Sequence, residues 1–253
     1  MSTTNSAVKT RSPLSERLDL IISPVFAAAL AILGFAVWTY SDLDKITIAI
    51  LSPDKVQRQI GETLILGLTS SILVVLIAVP VGILVTRKGY PRLKSLLVST
   101  LGLGQALPAY GLIVIFFSFM GSGIVTVILA LATFSLLPVL RNTIVGLEQV
   151  DKSVIDAARG MGLTARQILL KIELPLSVEV ILGGIRTAVV INVGFSALAF
   201  LVGGGGLGET INSGLKLDRG PAILIGAVMV AIMALLFDFL SALAQKYLKP
   251  RGL

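Results

Sequence analysis

The stretch that most resembles a chemical site is Gly203-Gly204-Gly205-Gly206-Leu207-Gly208-Glu209-Thr210. Gly203-x-Gly205-x-x-Gly208 has the spacing of a dinucleotide fingerprint, in which backbone amides cradle a pyrophosphate. That reading needs a preceding β-strand, and here a long apolar run precedes it. Gly203-x4-Gly208 also approaches a phosphate-binding P-loop. However, Glu209 stands where the phosphate-binding lysine belongs, and its charge would repel phosphate. Nucleotide chemistry in this chain is therefore not expected. Two readings of the glycine run stay open, a flexible turn or an element packed backbone-to-backbone near a gate. The chain has no cysteine and no histidine. Disulfides, thiolate metal sites and the commonest general base are thereby excluded, and no serine–lysine or paired-aspartate arrangement suggests an intramembrane enzyme.

The remaining chemistry-bearing residues lie in two settings. Gln105, Glu179, Arg186, Asn192 and Asp238 interrupt apolar runs, where a polar group is expensive and functional by default. Gln105 and Asn192 either line a solute path or hydrogen-bond neighbouring helices. Glu179 and Arg186 are expected to snorkel to the interface, with Asp238 reaching water or pairing with Arg186. Pro80, Pro108 and Pro138 are candidate kinks, and Pro108 beside Gly111 is the candidate for a bend near a path that also takes in Tyr110. Deep paired carboxylates, which an ion-coupled secondary transporter would need, are not visible.

The second setting is the segment Asp156–Pro175, a basic, glycine-punctuated island in an oily chain. Helix formers over Lys152–Arg159, glycines at 160 and 162, an N-cap candidate at Thr164 and helix formers over Ala165–Ile172 predict a helix–turn–helix hairpin. Pro175 is expected to stop the second helix and push Leu174 toward extended geometry. Such a hairpin either anchors the chain at the membrane surface or is read by something in water.

The elements that position these residues are set by composition. Of 253 residues, 55% are hydrophobic and 14% charged, against about 25% charged in an average soluble domain; mean hydropathy is +0.95. Six stretches reach the roughly 20 apolar residues that a transmembrane helix requires. They are Ile21–Tyr40, Thr63–Val85, Ser95–Phe119, Ile124–Leu140, Val180–Val202 and Ala222–Leu243. They lack the alternation of barrel strands. An all-α polytopic membrane protein with about six spans is predicted. Its parts are a tail over residues 1–20, a first span and outer loop over 21–61, a main transmembrane domain over 62–243 holding the hairpin at 152–175, and a tail over 244–253. The first span is read as retained, since no small-residue cleavage site follows it.

Fifteen of the 21 Lys and Arg fall on one side of these spans: Lys9, Arg11 and Arg17; Arg87, Lys88, Arg92 and Lys94; Arg141, Lys152, Arg159, Arg166 and Lys171; Lys246, Lys249 and Arg251. The positive-inside rule then places both termini and the hairpin in the cytoplasm. The net charge of +7 follows from that rule, and nucleic-acid binding is not expected.

Asp156-Ala157-Ala158, Gly162, Ile172 and Leu174-Pro175 fit the spacing E-A-A-x3-G-x9-I-x-L-P, with Asp156 in place of Glu. This resembles the signature of the inner-membrane permease subunits of binding-protein-dependent ABC importers. The resemblance runs from about Glu62 to Leu243. Gln105-Ala106-Leu107-Pro108 and Leu137-Pro138-Val139-Leu140-Arg141-Asn142-Thr143 lean toward permeases for glycine betaine, choline and related osmoprotectants. Gly183–Ala188 and Gly203–Gly208 are shared with permeases for methionine and other small solutes. The resemblance implies a methionine-permease-like core and a coupling helix. Asp156, Ala157, Ala158, Arg159, Gly162, Ile172, Leu174 and Pro175 would meet an ATPase dimer there. It also implies a second permease copy or a related permease, an external substrate-binding protein, and the bilayer of a bacterial inner membrane as surroundings. ATP and Mg would be used by the ATPase, with no cofactor on this chain. Gln105, Pro108, Tyr110, Asn192, Gly205 and Gly208 are the candidate pathway or gate residues. Methionine, phosphonate or an amino-acid-like compound is the alternative solute.

Overall fold

The computed structural model describes residues 13–87 and 91–248. Lys9, Arg11, Lys88, Lys249 and Arg251, used in the charge count, lie outside the described residues. Among those described, the chain is helical throughout, without strands. Five helices are long and apolar enough to cross a membrane, or six if one bent pair counts as a span. The long helices are α1 (Pro13–Tyr40), α3 (Pro53–Thr86), α6 (Ile124–Glu148), α9 (Leu174–Phe195) and α11 (Gly220–Leu248). Short helices α2 (Lys45–Ile50) and α10 (Gly208–Lys216) occupy the two longer connections, which are therefore more ordered than their polarity suggests. Asp44 caps α2 and also accepts from Arg219 Nε at 2.8 Å, tying the two connections together.

The third predicted span is not a single helix. It is α4 (Pro91–Ala106) and α5 (Ala109–Met120), meeting at 101°. Pro108 is the N-cap of α5, and its ring drives the preceding residue out of helical geometry, as the bend expected there requires. The fifth span also departs from expectation. It ends in a 3-10 helix, Ser196–Val202, which turns into the glycine run.

α3, α6 and α9 form the centre. Val74, Ala78, Val139, Leu140 and Ala188 make one buried cluster; Leu66, Ile113, Val127, Leu131 and Val202 make another. Lipid offers apolar groups no less than a helix does, so close approach and hydrogen bonds must hold such a bundle. A Cβ on Gly82 would lie 2.7 Å from Thr143 Cγ2, and one on Gly184 would lie 2.8 Å from the Pro138 oxygen. Small residues thus bring α3 and α9 against α6. α1 packs along α11, and its other side, with Ile32 and Phe35, is exposed.

Arg186 does not snorkel. Its Nε and Nη2 donate to Asp238 Oδ1 and Oδ2 at 2.6 and 2.7 Å, and Ser23 Oγ donates to Oδ2 at 2.5 Å. The cluster joins α9, α11 and α1. An Arg–carboxylate fork is the geometry that best compensates two charges removed from water.

Candidate functional site: the hairpin and the glycine loop

The hairpin consists of α7 (Lys152–Gly160) and α8 (Ala165–Ile168), followed by a π-helix over Leu169–Glu173 that runs directly into α9. Asp151 caps α7: its carboxylate accepts from Ser153 N at 2.8 Å. That hydrogen bond holds the Asp151 carboxyl below the usual carboxylate range. α7 ends in a Schellman motif. Gly162 N donates to Arg159 O at 2.9 Å and Leu163 N to Ala158 O at 3.1 Å, with Gly162 at φ +82°. Only a residue tolerant of left-handed geometry closes that motif without strain. Thr164 then caps α8 in a reciprocal capping box with Gln167. The turn is thus fixed by hydrogen bonds on both sides.

Pro175 does not stop the second helix. Leu174 is helical, at φ −64° and ψ −48°, and Pro175 lies in the first turn of α9, where a missing N–H costs little. The wider π turn before it accommodates the ring. The hairpin and the span therefore form one continuous piece of chain.

Asp156, Ala157, Arg159 and Gly162 are exposed. Arg159 Nη1 pairs with Asp156 Oδ1 at 3.0 Å within α7. Ala158 is buried inside the hairpin, at 1% exposure, and so packs the turn instead of leaving space outside it. Ile172 and Leu174 are half-buried. Sequence reasoning missed Met161, which is 72% exposed at the tip. An apolar side chain between Gly160 and Gly162 in a polar island is the signal that marked it. Nothing lies within 4 Å of a Cβ built on Gly162, so the tip is open for a partner's approach.

The hairpin is also tied to the bundle. Glu173, at the end of the π-helix, accepts from Arg87 Nη1 at 2.8 Å, and its side chain is 10% exposed. Arg87 is the C-cap of α3, where its cation faces the negative end of that helix. Ser177 Oγ lies 2.6 Å from Glu173 O and 2.8 Å from Gly146 O, bonding the start of α9 to α6.

The glycine loop lies at the other end of α3. Gly206 N donates to Glu62 Oε2 at 2.7 Å and Leu207 N to Thr63 Oγ1 at 3.0 Å. Thr210 Oγ1 donates to Gln59 Oε1 at 2.6 Å, and Arg58 Nη2 pairs with Glu209 at 3.2 Å. Gly205 and Gly206 have φ of +76° and +90°, a concave backbone that holds the Glu62 carboxylate. A Cβ on Gly205 would collide with that carboxylate, and one on Gly208 with the Ala197 carbonyl. Of the two readings of the run, the packed one matches this geometry. Glu62, Thr63 and Gln59 were not marked as site residues, because their partners lie far along the chain.

The other pathway candidates separate. Asn192 is fully buried. With its nitrogen toward α6 it donates to Leu131 O at 3.1 Å and Ser135 Oγ at 2.9 Å, and its oxygen faces Ser71 of α3. It binds helices together inside the bundle. Gln105 Nε2 donates to Phe134 O of α6 at 3.2 Å. Pro108 and Tyr110 are exposed at the bend, Tyr110 at 53%. Among the aromatics, Phe195 packs edge-on against Phe134 at 5.2 Å between centroids.

The family profile described as "Binding-protein-dependent transport system inner membrane component" matches residues 78–252. The carnitine transport permease protein OpuCB of Listeria monocytogenes is 37% identical over 195 residues, covering 77% of this chain and 88% of that protein. The choline transport system permease protein OpuBB of Bacillus subtilis (strain 168) is 38% identical over 194 residues, 76% and 88% of the two chains. The osmoprotectant import permease protein OsmY of Salmonella typhimurium is 38% identical over 187 residues, 74% and 79%. Among solved structures, a chain of the MetNI methionine ABC transporter in an inward-facing conformation superposes with a TM-score of 0.70 at 23% identity. It covers 82% of this chain and all of that one. A second MetNI crystal form gives 0.65 at 24% identity, covering 78% and 97%. At these identities the likeness is one of fold.

Proposed function

This chain belongs to the family of binding-protein-dependent transport system inner membrane components, and from that premise we propose that it is the permease subunit of an ATP-driven importer for an osmoprotectant. Glycine betaine, choline, carnitine or a related quaternary ammonium compound is the solute class. The solute class rests on relatives at 37% and 38% identity that are named for carnitine, choline and osmoprotectant transport. The mechanism rests on the hairpin Lys152–Glu173, a turn fixed by hydrogen bonds, open at its tip and continuous with a span.

The chain contributes a path and a means of moving it, and no covalent step. An ATPase dimer on the cytoplasmic side receives the hairpin, with Asp156, Ala157, Arg159, Met161 and Gly162 at the contact. A rigid hairpin passes on a rigid-body displacement that a soft loop would absorb. Two permease chains, identical or related, enclose the path in a bacterial inner membrane. A binding protein docks at the opposite face, near α2, α10 and the glycine loop, and delivers the solute. ATP and Mg are used by the ATPase alone.

Uptake of labelled glycine betaine, choline and methionine into proteoliposomes holding the complete transporter, with its ATPase and binding protein, tests this. ATP-dependent uptake of a quaternary ammonium compound is the expected result. Uptake of methionine instead would replace the solute class. Purification of the chain from its native host without an ATPase would overturn the whole reading.

A further inference from the structure

We infer that Arg87 and Glu173 are positioning residues for coupling: their ion pair fastens the hairpin to α3, so that movement of the hairpin is handed to a helix that reaches the glycine loop at its other end. The inference rests on the hairpin being the ATPase contact.

Three observations carry it. Glu173 ends the π-helix that joins the hairpin to α9, and its carboxylate is nearly buried, with a side chain 10% exposed. Shielding a carboxylate from water without a partner is costly, so the 2.8 Å contact to Arg87 is held and not incidental. Arg87 is itself braced. Its Nε lies 3.3 Å from Ile83 O and its Nη2 3.4 Å from Thr86 Oγ1, which fixes the guanidinium to the last turn of α3. Finally, α3 is one helix of 34 residues, roughly 50 Å at about 1.5 Å per residue. Its first turns carry Gln59, Glu62 and Thr63, the residues that hold the glycine loop and α10. A helix gripped at both ends transmits a tilt or shift without a chain of small adjustments.

The experiment uses the complete transporter in proteoliposomes, reading ATP hydrolysis with and without binding protein, and solute moved per ATP. Arg87→Ala is expected to retain the ATPase on purification yet lower solute per ATP about tenfold, the scale of coupling changes made away from both ligands. Binding-protein stimulation of hydrolysis falls with it. The charge swap Arg87→Glu with Glu173→Arg is expected to recover most of the loss. A merely structural pair would lower assembly and both rates in proportion, leaving solute per ATP at the wild-type value, and that result overturns the inference. A swap as uncoupled as the single variants overturns it too. Should Arg87→Ala fail to assemble, Glu173→Gln, which keeps the side-chain shape, and the swap are judged by the same ratio. A wild-type transporter with no ATP-driven uptake would refute the reading of the chain itself, which is a separate outcome.

Discussion

Gln105 donates its side-chain N–H to the main-chain oxygen of Phe134, 3.2 Å away on α6. Phe134 is the residue four before Pro138, and Pro138 has no N–H to offer that oxygen. One helix thus supplies the hydrogen bond that a proline removes from another. The bond also holds the end of α4 beside α6 just before the chain turns through 101° at Pro108. Gln105→Leu should destabilise the protein by about 1 kcal/mol, the scale of losing one partly buried hydrogen bond. Pro138→Ala restores the missing N–H, so the double variant should lose less than the sum. Thermal unfolding of the four proteins in one detergent measures the cycle.

Asp238→Ala removes the carboxylate that Arg186 forks and the acceptor of Ser23. Both side chains of the ion pair are 20% exposed. Removing one member of a charge pair so shielded from water costs about 3 kcal/mol or more. Asp238→Ala should therefore lower yield and unfolding temperature sharply, and Arg186→Ala in the same chain should return part of the loss. An additive double variant would show that the fork contributes no coupling.

Gly162 sits at φ +82° with open space around it. Alanine there should cost about 1–2 kcal/mol of backbone strain. Asparagine, which tolerates this conformation, should cost less in stability. Gly162→Trp adds bulk at the tip and should abolish uptake while hydrolysis continues. Unchanged uptake in Gly162→Trp would show that the tip is not a contact.

Gly208 and Gly194 make a contrast within one short stretch. A methyl on Gly208 would run into the Ala197 carbonyl, whereas nothing lies within 4 Å of one on Gly194. Gly208→Ala should destabilise by about 2 kcal/mol or more. Gly194→Ala, near the end of α9, should be neutral or stabilise by up to about 1 kcal/mol. Unfolding temperatures of the two variants rank them directly.

Asp151 gives the hairpin a pH dependence of known sign. Ser153 N–H donates to its carboxylate and lowers its pKa in the folded state. The stabilisation is complete above the ordinary aspartate value and is lost as pH falls through the lowered one. Hydrogen-exchange protection in α7, taken relative to the intrinsic rate at each pH, should be flat from neutral pH into the ordinary carboxylate range and fall below it. Asp151→Asn keeps a cap without the charge, so the difference between the two proteins isolates this group. The same acid step in both would assign it elsewhere.

Much of this molecule is written locally. A lack of charge and six apolar runs are enough for a helical membrane protein, because a bilayer admits few other solutions. The hairpin was readable for the same reason: Gly162 and Thr164 act on hydrogen bonds within a few residues of themselves. Where local logic failed, a neighbouring distortion overrode it. Pro175 reads as a stop only if the helix before it is an α-helix, and the π turn at Leu169–Glu173 makes it a beginning.

The sequence by itself therefore determined the class of protein, the apolar runs that become its spans, the hairpin and the exclusion of chemistry that needs cysteine or histidine. Tertiary structure decided what each polar group inside the membrane is for. Phe134 lies 29 residues from Gln105, Glu173 lies 86 from Arg87, Gly206 lies 144 from Glu62, and Ser23 lies 215 from Asp238. No periodicity or propensity reaches across such separations. A buried donor or acceptor must find a partner, but which one it finds depends on how the helices are arranged around it. That arrangement turned Asn192 into an internal tie, a glycine run into a seat for Glu62, and the end of α3 into a support for the hairpin.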